Sequence, residues 1–217
     1  LCDMHQPIVV LRNLQATFKQ PLAHSPVLRQ VAQTTHTRLM RAAVGLFPGN
    51  LVLDLSSAVI QQSLAERITR MNGVPETPTS PRVLGPMMCV PFGKLLRGRV
   101  VPNTVTKTLH TDRVFAPDLS ASRIDAFPGY SDLQAQIRTL KSFERPVILV
   151  DDLLHRPGRL NAVLPLLRQE GVQIGAVMLG ILSGLGADTM APSGLPVSGI
   201  YNIPNLRYWF VDSTLYP

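Results

Sequence analysis

Along the chain, short uninterrupted apolar runs alternate with stretches whose apolar residues recur at helical spacing. The runs LVLDL (51–55), VILV (147–150), IGAVMLGIL (174–182) and VSGIYNI (197–203) have the length and continuity of buried strands. Val83-Leu84 and RVVPNTVTKTL (99–109) predict two further strands. Between them, Ser25-Pro26 has the form of an N-cap followed by proline at the first helical position, and the helix it opens runs to Phe47, before Pro48-Gly49. Ser56 or Ser57 opens a second helix through Met71, closed by Asn72-Gly73. Helices are also predicted over 130–143 and over 158–171, the latter interrupted by Pro165. Residues 1–24 hold one β-like run, Ile8–Leu11, and read as an arm or edge element preceding a domain over 25–217. Residues 111–129 show no period and predict a long irregular loop of the kind that serves as a lid. SGLGADTMAPSG (183–194) reads as loop, and Tyr208-Trp209-Phe210 as part of an aromatic end piece. Strands that are continuous apolar runs, alternating with helices, predict an α/β fold with a mostly parallel sheet flanked by helices.

Composition narrows the function classes. At 217 residues and 45% hydrophobic the chain buries a full core, and 16% charged residues excludes a disordered chain. A formal charge of +7 points to anionic partners, but Lys and Arg are scattered, so nucleic acid is not the expected partner. Two cysteines, Cys2 and Cys89, make no disulfide framework, which suggests a reducing, cytoplasmic setting; Cys89 reads as a small buried apolar residue. No run approaches the ~20 apolar residues of a membrane span. The chain starts on Leu1 and ends on Tyr216-Pro217 after an apolar run, so a piece of a larger protein, with a fused domain or homo-oligomer as partner, is expected.

Several site chemistries lack their signals. Gly93-Lys94 is followed by Leu95 and has Met88 where a phosphate-loop glycine would stand. Gly184-Leu185-Gly186 begins a dinucleotide fingerprint that fails at Thr189. There is no HExxH, CxxC or GxSxG. What remains is PVILVDDLLHRPGRL (146–160), an apolar strand running into Asp151-Asp152 and then a basic turn, His155-Arg156-Pro157-Gly158-Arg159. Two aspartates that merely finish a strand are the plain alternative. Against it stands their position, since ligands of open α/β sheets sit at the carboxyl ends of strands. A following helix also aims its first N–H groups at an anion.

This segment resembles the ribose-phosphate signature of the type I phosphoribosyltransferases, in the orotate-type arrangement, and the resemblance covers roughly residues 51–203. It is also similar to phosphoribosyltransferase-like domains embedded in larger bacterial proteins. The resemblance implies a Rossmann-like fold with a C-terminal hood-like piece. It implies that Asp151 and Asp152 hold the ribose hydroxyls of phosphoribosyl pyrophosphate (PRPP), with Mg²⁺ bound indirectly through that ribose. His155, Arg156, Gly158 and Arg159 would take the 5-phosphate, Gly85, Pro86 and Met87 would form the pyrophosphate loop, and Lys107 and His110 would close over the site. The chain departs from the family at its phosphate loop: Arg156-Pro157-Gly158-Arg159 stands where Thr-Gly-Gly-Thr is usual. Proline removes an N–H donor, while arginine offers bidentate charge on a flexible arm. Two functions follow as expectations: Mg²⁺-dependent transfer of phosphoribosyl from PRPP to a nitrogen base, or a non-catalytic module of a larger protein that senses PRPP or a nucleotide.

Overall fold

A computed structural model describes residues 6–118 and 122–214. The chain forms two compact units, residues 1–62 with 203–217, and residues 63–202.

The first unit is built on a three-stranded parallel sheet with β1 (Ile8–Arg12) in the middle, β2 (Val52–Ser56) on one side and, from the far end of the sequence, β9 (Tyr208–Val211) on the other. Ile8, Val9 and Val10 are fully buried, as a run of apolar residues covered on both faces should be. The segment expected as an arm thus contributes the central strand of a sheet, and the aromatic end piece contributes its edge. A short helix, α1 (Leu14–Thr17), follows β1. The long α2 (Pro26–Leu46) then connects to β2; Ser25 Oγ accepts from Leu28 N at 3.4 Å and Pro26 occupies the first turn, where its missing N–H costs nothing. The chain passes from one unit to the other within α3 (Ser57–Met71).

The second unit holds a parallel sheet in the order β3 (Met88–Pro91), β6 (Val147–Leu154), β7 (Ile174–Ser183), β8 (Val197–Ile203). Residues 105–109 run along the free side of β3, with Cys89 N donating to Val105 O at 2.8 Å and Leu109 N to Pro91 O at 2.9 Å. Counted in chain order, the ribbon and strands therefore lie second, first, third, fourth, fifth, and the winding direction reverses between β3 and β6. Helices α4 (Leu133–Lys141) and α5 (Gly158–Gln169) cover one face: Ile137, Leu140, Leu160, Val163 and Leu167 share a buried cluster with Val90, Leu149 and Val177. On α3, Arg67 Nη1 donates to Gly199 O of β8 at 2.9 Å. The fold is α/β with parallel sheets and helical cover, as the alternation predicts.

Four local expectations are corrected. Val83 and Leu84 are exposed coil, and the strand lies later, over Met88–Pro91, where every residue is buried. Of residues 99–109 only the last five lie along a strand. Residues 111–129 are not one irregular loop: β4 (Thr111–Phe115) and β5 (Ser122–Ala126) pair antiparallel, with Arg113 opposite Ile124. The loop after β7 contains α6 (Gly184–Met190), capped by Ser183 Oγ, which accepts from Gly186 N at 3.0 Å.

Candidate functional site

β3 ends before β6 does. Phe92 N still donates to Val150 O at 2.9 Å, but the chain then turns away at Gly93 while β6 runs on to Leu154 beside β7. Asp151 and Asp152 lie on this overhang, within the strand and not beyond its end. The loop leaving β3 folds onto them so closely that a Cβ on Gly93 would lie 2.5 Å from Asp151 Oδ1 and would collide with Asp152 Oδ1. Only a residue without a side chain permits this approach. Asp152 is then fixed by the loop itself: Lys94 N donates to its Oδ2 at 2.8 Å and Leu95 N to its Oδ1 at 2.7 Å.

Asp151 meets the same loop and is held in addition from α5. Its Oδ1 accepts from Arg159 Nη1 at 2.5 Å and from Asp152 N at 2.8 Å. Burial pushes this carboxyl up to about 7, the Arg159 charge pulling against that rise and the Asp152 charge adding to it. Arg159 is therefore spent on Asp151 in this structure, while Arg156 is exposed. The first turn of α5 has no side-chain cap, because Pro157 stands at its N-cap. Over that turn comes Arg113, which the β4–β5 hairpin carries: a Cβ on Gly158 would lie 4.0 Å from its Nη2. In the sequence Arg113 stands close to Lys107 and His110 as part of one basic cluster, and the hairpin pairing gives its reach.

His155 Nδ1 lies 3.1 Å from Ser183 Oγ, the cap of α6, and burial followed by the nearby Arg156 charge lowers its pKa. His110 follows the 105–109 ribbon. Its ring stacks on Tyr130 with centroids 3.7 Å apart, and its backbone N–H donates to Gln136 Oε1 at 2.8 Å. Burial, then Arg97 and Lys107, lowers its pKa too, so both histidines favour the neutral form at pH 7. Lys107 is exposed on the ribbon. Arg97 donates to Thr111 O at 3.2 Å and lies over the Phe127 ring, but its buried Nε has no hydrogen-bond partner among the described residues.

Gly85, Pro86 and Met87 are not beside the carboxylates. They precede β3, whose Met88 pairs with Val147, four residues and about 13 Å along β6 from Asp151. Their surroundings are a structural clamp: Asn72 Oδ1 accepts from Met87 N at 2.9 Å, its Nδ2 donates to Met87 O at 3.1 Å, and Arg145 Nη1 donates to Gly85 O. The loop that meets the carboxylates is Phe92–Leu95. Its sequence signal was the Gly93-Lys94 pair directly after a buried run.

The carboxylates do not form a ready cation site. Asp151 already carries a guanidinium, Asp152 is occupied by two amides, and no group of three or more His, Cys, Asp or Glu side chains suited to a metal occurs among the described residues. Mg²⁺ does not fit directly on these side chains. Among the described residues no helix is long and apolar enough to cross a membrane. No family model matches the chain, and no curated protein matches its sequence.

Proposed function

We propose that residues 63–202 are a phosphoribosyltransferase-like unit that binds a phosphorylated ribose compound, PRPP or a nucleotide, without brisk turnover, as a regulatory module of a larger protein. The observation that carries this reading is the convergence of Asp151, the Gly93 loop and the arginine-bearing first turn of α5 where the sheet reverses its winding. Open α/β sheets bind ligands at such reversals, outside the carboxyl ends of the strands. The uncapped N–H groups at the start of α5 and the side chains of Arg156 and Arg113 suit a phosphate. Asp151 is the acceptor within reach for a ribose hydroxyl.

The same contacts argue against fast transfer. A transferase needs both carboxylates turned to the sugar, whereas Asp152 is held by Lys94 N and Leu95 N, and Asp151 by Arg159. Displacing a reacting centre by about 1 Å can cost ~10²-fold in rate. Mg²⁺ enters this reading only as part of a PRPP complex, held by the ligand's own oxygens. Calorimetric titration with PRPP and with ribose 5-phosphate, each with and without Mg²⁺, tests it. Binding is expected, and Arg156→Ala with Arg159→Ala should abolish it; Arg156→Ala alone, at an exposed position, should weaken it without affecting folding. No binding by either compound would refute the reading. Rapid pyrophosphate release dependent on one added base would replace the sensor with an enzyme.

A further inference from the structure

A concavity lies in the first unit. It is a cavity of about 770 Å³ over the carboxyl ends of the β2–β1–β9 sheet, within the ~300–1,000 Å³ typical of small-ligand pockets. Arg12 ends β1, Asp54 lies two residues from the end of β2, and Asp212 follows β9 directly. Here too the sheet branches in opposite directions from its central strand, the position at which parallel sheets open a crevice.

The floor is a charged row. His36 Nε2 lies 3.0 Å from Asp54 Oδ1 and its Nδ1 lies 3.3 Å from Asp212 Oδ2. Arg12 Nη2 reaches Asp54 Oδ2 at 3.2 Å, and Asp212 Oδ1 accepts from Asn13 N and Leu14 N, both at 2.7 Å. The row is not saturated. His36 is 6% exposed and Asp212 1%, yet neither ring contact is aligned as a hydrogen bond and Asp212 Oδ2 has no hydrogen-bond donor among the described residues. Buried polar atoms in this state favour a ligand group that completes them.

The wall is one face of α2. Gln30, Thr34, Thr37 and Arg41 recur at three- and four-residue steps, with Arg38 beside them, and the stripe extends about 16 Å at 1.5 Å per residue. Arg38 and Arg41 are exposed and have no acidic partner among the described residues, so both charges are open to an anion. A single carboxylate is too short for this stripe.

We propose that the first unit binds a nucleotide-sized phosphate ester, with its phosphates on Arg38 and Arg41 and its hydroxyl-bearing part on the His36–Asp212 floor. The test is calorimetry on the full chain with ADP and with inorganic pyrophosphate. ADP should bind more tightly than pyrophosphate, because only ADP reaches the floor. Arg38→Ala with Arg41→Ala should weaken ADP at least about tenfold through lost charge-assisted bonds, with the unfolding midpoint of the free protein unchanged. Lys19→Ala, which removes an exposed charge of the same unit outside the cavity, should leave this ADP affinity as it was. Equal ADP affinity in the parent and the double variant would overturn the proposal. So would loss of ADP binding in Arg156→Ala, which would place the anion in the second unit. A single-stranded RNA that binds more tightly than ADP, with a steep salt dependence removed by the double variant, would make this face a nucleic-acid surface instead.

Discussion

Gly93→Ala is the most direct probe of the packing at the overhang of β6. The added methyl carbon would lie 2.5 Å from Asp151 Oδ1 and 2.8 Å from Asp152 Cγ, where ordinary contacts begin near 3.4 Å. Neither carboxylate is free to swing aside. Asp152 is held by the amides of Lys94 and Leu95, and Asp151 by Arg159 and the Asp152 amide. Relief therefore requires the loop to lift, which lengthens both bonds to Asp152. Overpacking of this kind typically costs ~1–3 kcal/mol. Losing charge-assisted bonds adds ~1.5 kcal/mol or more, taken at the low end because Asp152 is partly exposed. The sum is a destabilisation of about 2.5–4.5 kcal/mol, read from urea unfolding followed by circular dichroism. Gly45→Ala is the control: its Cβ would meet nothing within 4 Å in the last turn of α2, so it should leave stability unchanged or raise it by up to ~1 kcal/mol. If Gly93→Ala unfolds within ~0.5 kcal/mol of the parent, a spread typical of neutral surface changes, the close approach and the reasoning built on it are wrong.

Two further outcomes follow from the same region. Asp151 ionises near 3.8 in an unfolded chain but at about 7 when buried, so between these values the folded state holds a proton that the unfolded state releases. Its contribution to stability is fully present below pH 3.8 and declines by about 1.4 kcal/mol per pH unit as pH rises, until it is lost above pH 7. The stability difference between the parent and Asp151→Asn should fall accordingly from pH 4 to 7; a difference that stays level or rises would mean that Arg159 keeps the carboxylate ionised. For the β4–β5 hairpin, hydrogen exchange should show protection of ladder amides within 111–115 and 122–126, with further slowing on ligand binding as Arg113 settles over α5. Exchange at coil rates would contradict the hairpin, and indifference to ligand would remove it from the site.

The elements read correctly from the sequence are those whose burial writes a local pattern. VILV and IGAVMLGIL are covered on both faces and so lack polar interruptions, and Ser25-Pro26 and Asn72-Gly73 mark helix ends chemically. β6 was read too short because Asp151 and Asp152 are poor strand residues; distant partners, Arg159 and the Gly93 loop, keep them in the ladder. β3 was misplaced because MMCVP has a single β-branched residue and ends in proline. The hairpin carried only half a signal, since SRIDA places apolar residues at alternate positions but TDRVF does not, and Pro117-Asp118 and the surrounding polar residues masked it. α6 has two glycines in its first three residues, and Gly186 serves contact with the Leu154 carbonyl in place of helix propensity. The Asp151–Asp152 pair was legible as two carboxylates joined to a buried strand, whereas the parallel pairing of residues 8–11 with 208–211 leaves no local trace.

That last pairing sets an order on the ribosome. β1 and β2 emerge within the first 56 residues, but the strand that completes their sheet is made only at residues 208–211. Throughout the synthesis of everything between, β1 carries one unsatisfied edge, a row of N–H and C=O groups open to any other strand. The whole of 63–202 is available to fold during that interval, being finished first although it starts second. A nascent chain released before residue 208 would leave the ribosome with its later unit complete and its earlier one permanently lacking a strand.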